Sequence, residues 1–194
     1  MTMGQIIKKL TVPLVAICLV CSFLVAYAHD ATKATIAKKA ADDTKAAYAM
    51  VFPNVGDLTK EKAPAPSKTN LIKDIQCSKK DGKVNGYIYT VTPSGYGGPM
   101  EVMVGIGTDN KITGIKVLQH GETPGLGAKS TEPEFPKEFV GKETKSEIKV
   151  IKSGSPKADE IRAITAATIT SRAVTSGVNA ARDHYMKNYA NGKG

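Results

Sequence analysis

Four hydroxyl side chains crowd into seven residues near the carboxyl end of the chain, namely Thr165, Thr168, Thr170 and Ser171. They stand directly ahead of an amphipathic stretch, so we expect them at the first turn of a helix. That turn offers free amide N–H groups and the positive end of the helix dipole, which favour a phosphate. Plain N-capping by Thr170 or Ser171 is the alternative, and composition alone leaves both interpretations open.

Two glycine-rich segments are candidates for ligand-binding loops. In the segment GETPGLG, which follows a predicted strand, Gly125 and Gly127 flank Leu126. Glycines at this spacing let a backbone approach a flat or phosphorylated ligand closely, although a long turn explains them as well. The segment GYGGPM, from Gly95, is either a hairpin loop or a flexible wall that carries the ring of Tyr96. Neither segment has the surroundings of a Walker loop or a dinucleotide fingerprint.

Other chemistries lack the residues that they need. No Cys and His set has zinc spacing, and no Ser, His and Asp arrangement indicates a hydrolase, so we predict neither a metal site nor catalytic residues. The formal net charge is +9, but the basic residues are spread out and Trp is absent, which argues against nucleic-acid binding. Cys18 and Cys21 fall in an apolar run, which leaves Cys77 as a lone thiol, expected to be buried.

The amino end carries an uncharged apolar run from Leu10 to Ala28. About 20 residues cross a bilayer as a helix, so the run predicts a transmembrane anchor. A cleaved secretory signal is the alternative because Ala26 and the two residues after it match a cleavage pattern, but the run is longer than a signal core. The anchor is favoured, and the short amino end, residues 1–9, is expected in the cytoplasm with the carboxyl domain outside.

The remaining sequence predicts a helix, a linker and a small α+β domain. Ala31 to Phe52 lacks Gly and Pro and is typical of a helix, whereas Asp57 to Asn70 contains prolines and is expected to be a loop. β-prone segments then predict an antiparallel meander with helices packed on it. The predicted strands are two within 71–91 joined by a turn at Asp81-Gly82, then Met100–Ile106, Ile112–Leu118 and Glu147–Ile151.

The carboxyl end predicts the clearest helix of the soluble part, from Ser171 to Tyr189. Its apolar residues fall on one stripe, and the segment Thr131–Lys142 before it, which contains prolines, allows at most one helical turn. The predicted organisation is a cytoplasmic amino end at 1–9, an anchor at 10–28, a helix and linker at 29–70 and one domain at 71–194.

Together, these segments resemble the FMN-binding domain shared by the RnfG subunit of Rnf complexes and the NqrC subunit of sodium-translocating NADH:quinone reductases. The match is carried by GYGGPMEVMVGI from Gly95, HGETPGLGAK from His120 and AITAATITSRAVTSGVNAA from Ala163. It extends from the anchor to the last helix, and the short length and the GYGGPM segment are more similar to RnfG.

The resemblance implies covalent FMN. In the family, the FMN phosphate is attached to the last threonine of an Asp-x-x-Ser/Thr-Gly-Ala-Thr motif, which here is Thr168. Thr165 and Ala167 match this motif, whereas Arg162 and Ala166 stand where the family has aspartate and glycine. If that glycine needs a positive φ, Ala166 costs about 1 kcal/mol. Arg162, in turn, is able to pair with the phosphate. The cofactor-binding residues implied are Tyr96, Glu122, Thr123, Gly125, Leu126, Gly127, Thr165, Ala166, Ala167, Thr168, Thr170 and Ser171.

The function implied by the resemblance is electron relay. The chain would be one component of a membrane-bound, ion-translocating ferredoxin:NAD oxidoreductase, with the other Rnf subunits as partners and a flavin transferase acting during maturation. Two alternatives remain open at this point: a free-standing extracytoplasmic flavoprotein, and a flavin-free structural or sensor subunit.

Overall fold

A computed structural model describes residues 3–64 and 70–190 of the chain. The chain divides into two units, Met1–Asp43 and Thr44–Gly194. The first unit is helical, and the second contains the α+β domain that the sequence predicts. The two helices expected before residue 53 are one continuous helix, α1, Met3–Val51. Within it, Thr11–Lys33 is long and apolar enough to cross a membrane, a test that a signal sequence also passes.

The second unit is built on a five-stranded antiparallel meander, in which each strand pairs with the next one along the chain. The strands are β1 Asp57–Glu61, β2 Ile72–Lys80, β3 Lys83–Val91, β4 Glu101–Gly107 and β5 Ile112–Gln119. Two residues join β2 to β3, and both have a positive φ, 53° at Asp81 and 75° at Gly82. That geometry suits a two-residue hairpin turn, which is the turn that Asp-Gly predicts.

Both faces of the sheet are covered, so its central strands are buried on each side. On one face lies helix α3, Thr168–Asn188, whose Val174, Val178 and Ala181 pack on alternate residues of β3 and β4. The hydroxyl of Tyr185 donates to the carbonyl oxygen of Gly107 at 3.1 Å. The amphipathic stripe predicted from the sequence is therefore the stripe that meets the sheet, and the predicted fold class is confirmed.

The opposite face of the sheet receives the end of α1, from Thr44 onward. There Val51 and Phe52 pack with Ile88 and Met103 in a second, smaller core. The hydroxyl of Thr113 donates to the carbonyl oxygen of Val51 at 2.7 Å.

Three glycines on β3, β4 and β5 make room for this helix end, and we call them the glycine seat: Gly86, Gly105 and Gly114. A Cβ at Gly105 would lie 2.7 Å from the carbonyl oxygen of Val51, and one at Gly114 would lie 2.9 Å from the same atom. Gly105 and Gly114 are direct partners in the β4–β5 register. The end of α1 therefore lies against bare backbone.

Shorter elements complete the domain. They are a 3₁₀ turn Gly127–Thr131, helix α2 Glu134–Lys137, and a two-stranded parallel sheet of β6 Lys149–Ile151 and β7 Glu160–Arg162. The side chain of Asn179 on α3 accepts from the backbone N–H of Ile148 at 3.0 Å and donates to its carbonyl oxygen at 2.9 Å. This pair of bonds fixes α3 to the chain segment that leads into β6.

Two strands differ from the sequence expectation. The segment expected to be a loop, Asp57–Asn70, begins with β1, and β7 was not predicted at all. The sequence of β1, DLTKE, has one apolar residue, so no alternation marks it, and it is formed by pairing with β2 at the sheet edge. Residues 65–69 of that segment lie outside the described residues. Cys77, on β2, is buried as expected, and burial raises the pKa of its thiol.

A cluster of tyrosines and one histidine closes the end of the main core. The rings of Tyr87 and Tyr189 stack with centroids 3.9 Å apart, and burial raises the pKa of Tyr87 to about 12. The hydroxyl of Tyr89 lies 3.3 Å from Nδ1 of His184. Burial lowers the pKa of His184, and the nearby Lys187 adds to the effect.

The position of His184 predicts a pH-dependent stability. The folded protein holds the pKa of this imidazole below its unfolded value of about 6.5, so the unfolded chain binds the proton more readily. Its contribution to stability is complete above about pH 6.5 and is lost as the pH falls below that value. We expect His184→Gln to weaken the pH dependence of the urea midpoint between about pH 5 and 7. His29→Gln is the control, and an unchanged pH dependence in His184→Gln would contradict the assignment.

Candidate functional site

A cavity of about 560 Å³ opens at the start of α3. This volume falls within the range of about 300–1,000 Å³ that is usual for small-molecule sites. Three chain segments wall it: the β3–β4 loop, the loop after β5 and residues 166–170. The lining residues are Tyr96, Glu122, Thr123, Leu126, Gly127, Ala166, Ala167, Thr168, Ile169 and Thr170.

The structure brings most of the predicted site residues together around this cavity, and three of them lie elsewhere. Thr165 is exposed and does not line the cavity. Gly125 forms a turn with a φ of 77°. Ser171 is buried, and its hydroxyl donates to the carbonyl oxygen of Ala167 and accepts from the N–H of Ile164.

One lining residue, Ile169, was not predicted. Its side chain is 57% exposed at the cavity, and it falls outside the apolar stripe of α3 that packs on the sheet. An isoleucine off the buried stripe, next to a hydroxyl cluster, is the signal that sequence reasoning overlooked.

The start of α3 differs from the predicted N-cap. The helix begins at Thr168 with Ala167 as its N-cap residue, and no side chain caps it. Thr170 and Ser171 therefore lie inside the first turn and are not capping residues. The first N–H groups of a helix have no partner within the helix, so this end is suited to bind an anion.

The hydroxyl groups at this end of α3 differ in what they already bind. Thr170 donates to Oε2 of Glu122 at 2.5 Å, and Ser171 is engaged as described above. Thr168 lines the cavity and its hydroxyl makes no hydrogen bond to the described residues. Thr168 is therefore the one hydroxyl of the predicted set that is both at the cavity and free to react.

Ala166 has a φ of 61°, in the left-handed region that favours glycine. A non-glycine residue is strained there, because its Cβ crowds the neighbouring carbonyl. We expect Ala166→Gly to raise the free energy of unfolding by about 1 kcal/mol, since relief of the strain exceeds the added flexibility of the unfolded chain. Urea unfolding followed by tyrosine fluorescence measures this. A lower midpoint for Ala166→Gly would show that the backbone here is unstrained.

Arg162 does not line the cavity. Its guanidinium donates to the carbonyl oxygen of Gly154 at 3.0 Å, and its backbone N–H donates to the carboxylate of Glu138 at 2.5 Å. The structure therefore gives no support to pairing between this arginine and a phosphate held at Thr168.

The mouth of the cavity is apolar. The side chains of Tyr96, Leu126 and Ile169 are 73%, 42% and 57% exposed and all line it. Exposed apolar side chains around a pocket suit a flat aromatic ligand. The cavity thus joins an anion-binding helix end to an apolar mouth.

Comparison with known proteins identifies the domain. The family model described as FMN-binding domain matches residues 95–183, which contain the whole cavity. The C component of the Na⁺-translocating NADH-quinone reductase from Parabacteroides distasonis has a similar structure, with a TM-score of 0.51 and 32% identity over 59% of this chain and 61% of that one. NqrC of Shewanella oneidensis is 24% identical with a TM-score of 0.51, over 68% of this chain and 64% of that one, and shares the fold. The fold and the site define an FMN-binding domain.

Relatives that match along most of their length identify the family. The G component of the Na⁺-translocating ferredoxin:NAD⁺ oxidoreductase complex of Acetobacterium woodii is 35% identical over 188 residues, which cover 90% of this chain and 89% of the relative. The G component of the ion-translocating oxidoreductase complex of Methanosarcina acetivorans is 31% identical over 92% of this chain and 94% of the relative. The chain belongs to the family formed by these G components, and the resemblance to RnfG seen in the sequence is confirmed.

The residues of the cavity fit FMN. The uncapped start of α3 suits its phosphate, and the apolar side chains at the mouth suit its flat ring. Thr168 belongs to the first of these regions, because it lines the cavity at the first residue of α3.

Proposed function

We propose that the chain carries FMN, joined through its phosphate to the hydroxyl of Thr168, and relays electrons within an ion-translocating ferredoxin:NAD oxidoreductase complex. The observation that carries the proposal is the state of the hydroxyls at the start of α3. Thr170 and Ser171 are engaged in hydrogen bonds, Thr165 is away from the cavity, and Thr168 lines it with a free hydroxyl.

The chain's own residues supply binding and orientation. The free N–H groups of the first turn of α3 stabilise the charge that remains on a phosphodiester. Tyr96 and Leu126 limit the space at the mouth of the cavity. FMN supplies the electron-transfer chemistry, so no side chain has to act as an acid or base. A covalent bond also retains the flavin where dilution would remove a free cofactor.

Membrane attachment is part of the proposal. We assign residues 1–9 to the cytoplasm, 10–28 to the anchor, 29–70 to a helix and linker, and 71–194 to the FMN-binding domain on the extracytoplasmic side. Support comes from the apolar span Thr11–Lys33 and from relatives that are components of ion-translocating complexes. The partners are the other membrane subunits of an Rnf-type complex, together with a flavin transferase that makes the phosphoester.

Purification of the tagged full chain from its own membranes in a mild detergent tests the proposal. We expect flavin fluorescence at the position of the chain in a denaturing gel, together with co-purifying membrane subunits. A fluorescent chain without these partners would favour the free-standing flavoprotein, and partners without flavin would favour the structural or sensor alternative. An intact mass that begins at His29 would contradict the anchor.

A further inference from the structure

Glu122 stands where the three walls of the cavity meet. Its side chain is 6% exposed, and each carboxylate oxygen accepts from a different segment. Oε1 accepts from the backbone N–H of Gly97 at 3.0 Å, and Oε2 accepts from the hydroxyl of Thr170 at 2.5 Å. The backbone N–H of Glu122 donates to Nδ1 of His120 at 3.2 Å. One buried carboxylate therefore connects the Tyr96 loop, the loop after β5 and the first turn of α3.

Two glycines make room for this carboxylate. A Cβ at Gly95 would lie 2.2 Å from Oε1 of Glu122, and a Cβ at Gly127 would lie 2.2 Å from Oε2. The same Cβ at Gly127 would also lie 2.6 Å from the hydroxyl oxygen of Thr170. The sequence suggested that Gly127 lets a ligand approach the backbone, but in the structure its missing side chain makes room for Glu122.

We propose that Glu122 is a positioning residue that holds the Tyr96 loop and the first turn of α3 at a fixed separation, and that Gly95 and Gly127 are glycine because its carboxylate occupies their side-chain space. A buried carboxylate is stabilised only while its donors stay in place, so the carboxylate and its two donor segments fix one another. The junction is formed by the protein alone. Its effect on the cofactor rests on the proposed function, because the wall it fixes is the wall of the FMN site.

The first test is made without flavin. The full chain, produced in cells without a flavin transferase and kept in detergent, is examined by amide hydrogen exchange. We expect the Gly97 amide to be protected in the unaltered chain and to exchange about tenfold faster or more in Glu122→Ala, because its acceptor is gone. Glu122→Gln should restore protection, since its amide oxygen accepts from Gly97 and its NH₂ group donates to Thr170. Equal exchange in Glu122→Ala and the unaltered chain would overturn the inference.

The second test measures the flavin itself. In protein matured with a flavin transferase, Glu122→Ala should keep covalent FMN with lower fluorescence anisotropy, and Glu122→Gln should match the unaltered chain. Unchanged anisotropy in Glu122→Ala would overturn the positioning role. If the unaltered chain carries no flavin, the proposed function fails, and the exchange measurement still decides whether Glu122 forms the junction.

A double-mutant cycle separates this role from general loss of packing. Gly95→Ala alone should displace the carboxylate and speed exchange at Gly97, whereas it should add little to Glu122→Ala, in which the space is free. The thioether of Met100, 2.7 Å from the same Cβ position, is flexible enough to move. Additive effects would overturn the role assigned to Gly95. Should Glu122→Ala fail to fold, Thr170→Val removes one donor at similar size and is expected to loosen the Gly97 amide, and unchanged protection there would overturn the junction.

Discussion

Thr168→Ala is expected to abolish covalent attachment of FMN, with no residual modified chain. Thr168 supplies the hydroxyl that lines the cavity and binds no other described group, and alanine removes the only atom of this side chain able to form the phosphoester. The cavity itself should persist, because Thr168 makes no side-chain hydrogen bond to the described residues of its walls. Intact mass of the full chain, isolated after maturation with a flavin transferase, measures the result as loss of the mass of FMN less water.

Two other variants define the specificity of this result. Thr165→Ala removes an exposed hydroxyl from the same motif, outside the cavity, and is expected to leave attachment unchanged. Thr168→Ser keeps a hydroxyl and should retain some modification. A flavin still bound covalently in Thr168→Ala, or lost in Thr165→Ala, would mean that the acceptor has been assigned to the wrong residue.

Gly105→Ala is expected to destabilise the domain by about 1–3 kcal/mol, the usual cost of an added methyl group in a packed core. Its Cβ would lie 2.7 Å from the carbonyl oxygen of Val51 and would also press on the hydroxyl of Thr113, so the helix end has to move. That movement also weakens the hydrogen bond from Thr113 to Val51, which contributes about 1 kcal/mol.

The matched control for the glycine seat is Gly107→Ala, on the same strand. Its Cβ would meet the exposed carboxylate of Asp109, which is free to rotate, so a smaller loss of stability is expected. Urea unfolding of the full chain in detergent, followed by near-ultraviolet circular dichroism of the buried tyrosines, compares the two variants. Equal losses would show that the end of α1 is not seated on bare backbone.

Local sequence signals were sufficient for most of the sheet. The strands β2 to β5 are rich in β-branched and aromatic residues and are joined by turns such as Asp81-Gly82, so each element and its neighbour are specified within a short stretch. β1 is different, because its five residues are mostly polar and exposed, and only pairing with β2 makes them a strand. Such pairing is a tertiary effect that no local pattern reports.

The site was predictable in its residues more than in their roles. The hydroxyl cluster and the glycine loops were visible in the sequence, and the family resemblance singled out Thr168. The roles of Thr170 and Gly127 were not visible, since both depend on the side chain of Glu122, which lies 48 residues from Thr170 along the chain. Contacts over such separations are decided by how the sheet and α3 pack, which spacing alone does not encode.

The order in which the cavity walls occur along the chain has a consequence for biosynthesis. The ribosome makes the Tyr96 loop first, the Glu122 loop next and the start of α3 nearly last. A chain that ends before α3 lacks Thr168 and also lacks the helix stripe that covers one face of the sheet. Under the proposed attachment, incomplete translation products are left without flavin, so the cofactor marks chains whose synthesis has passed α3.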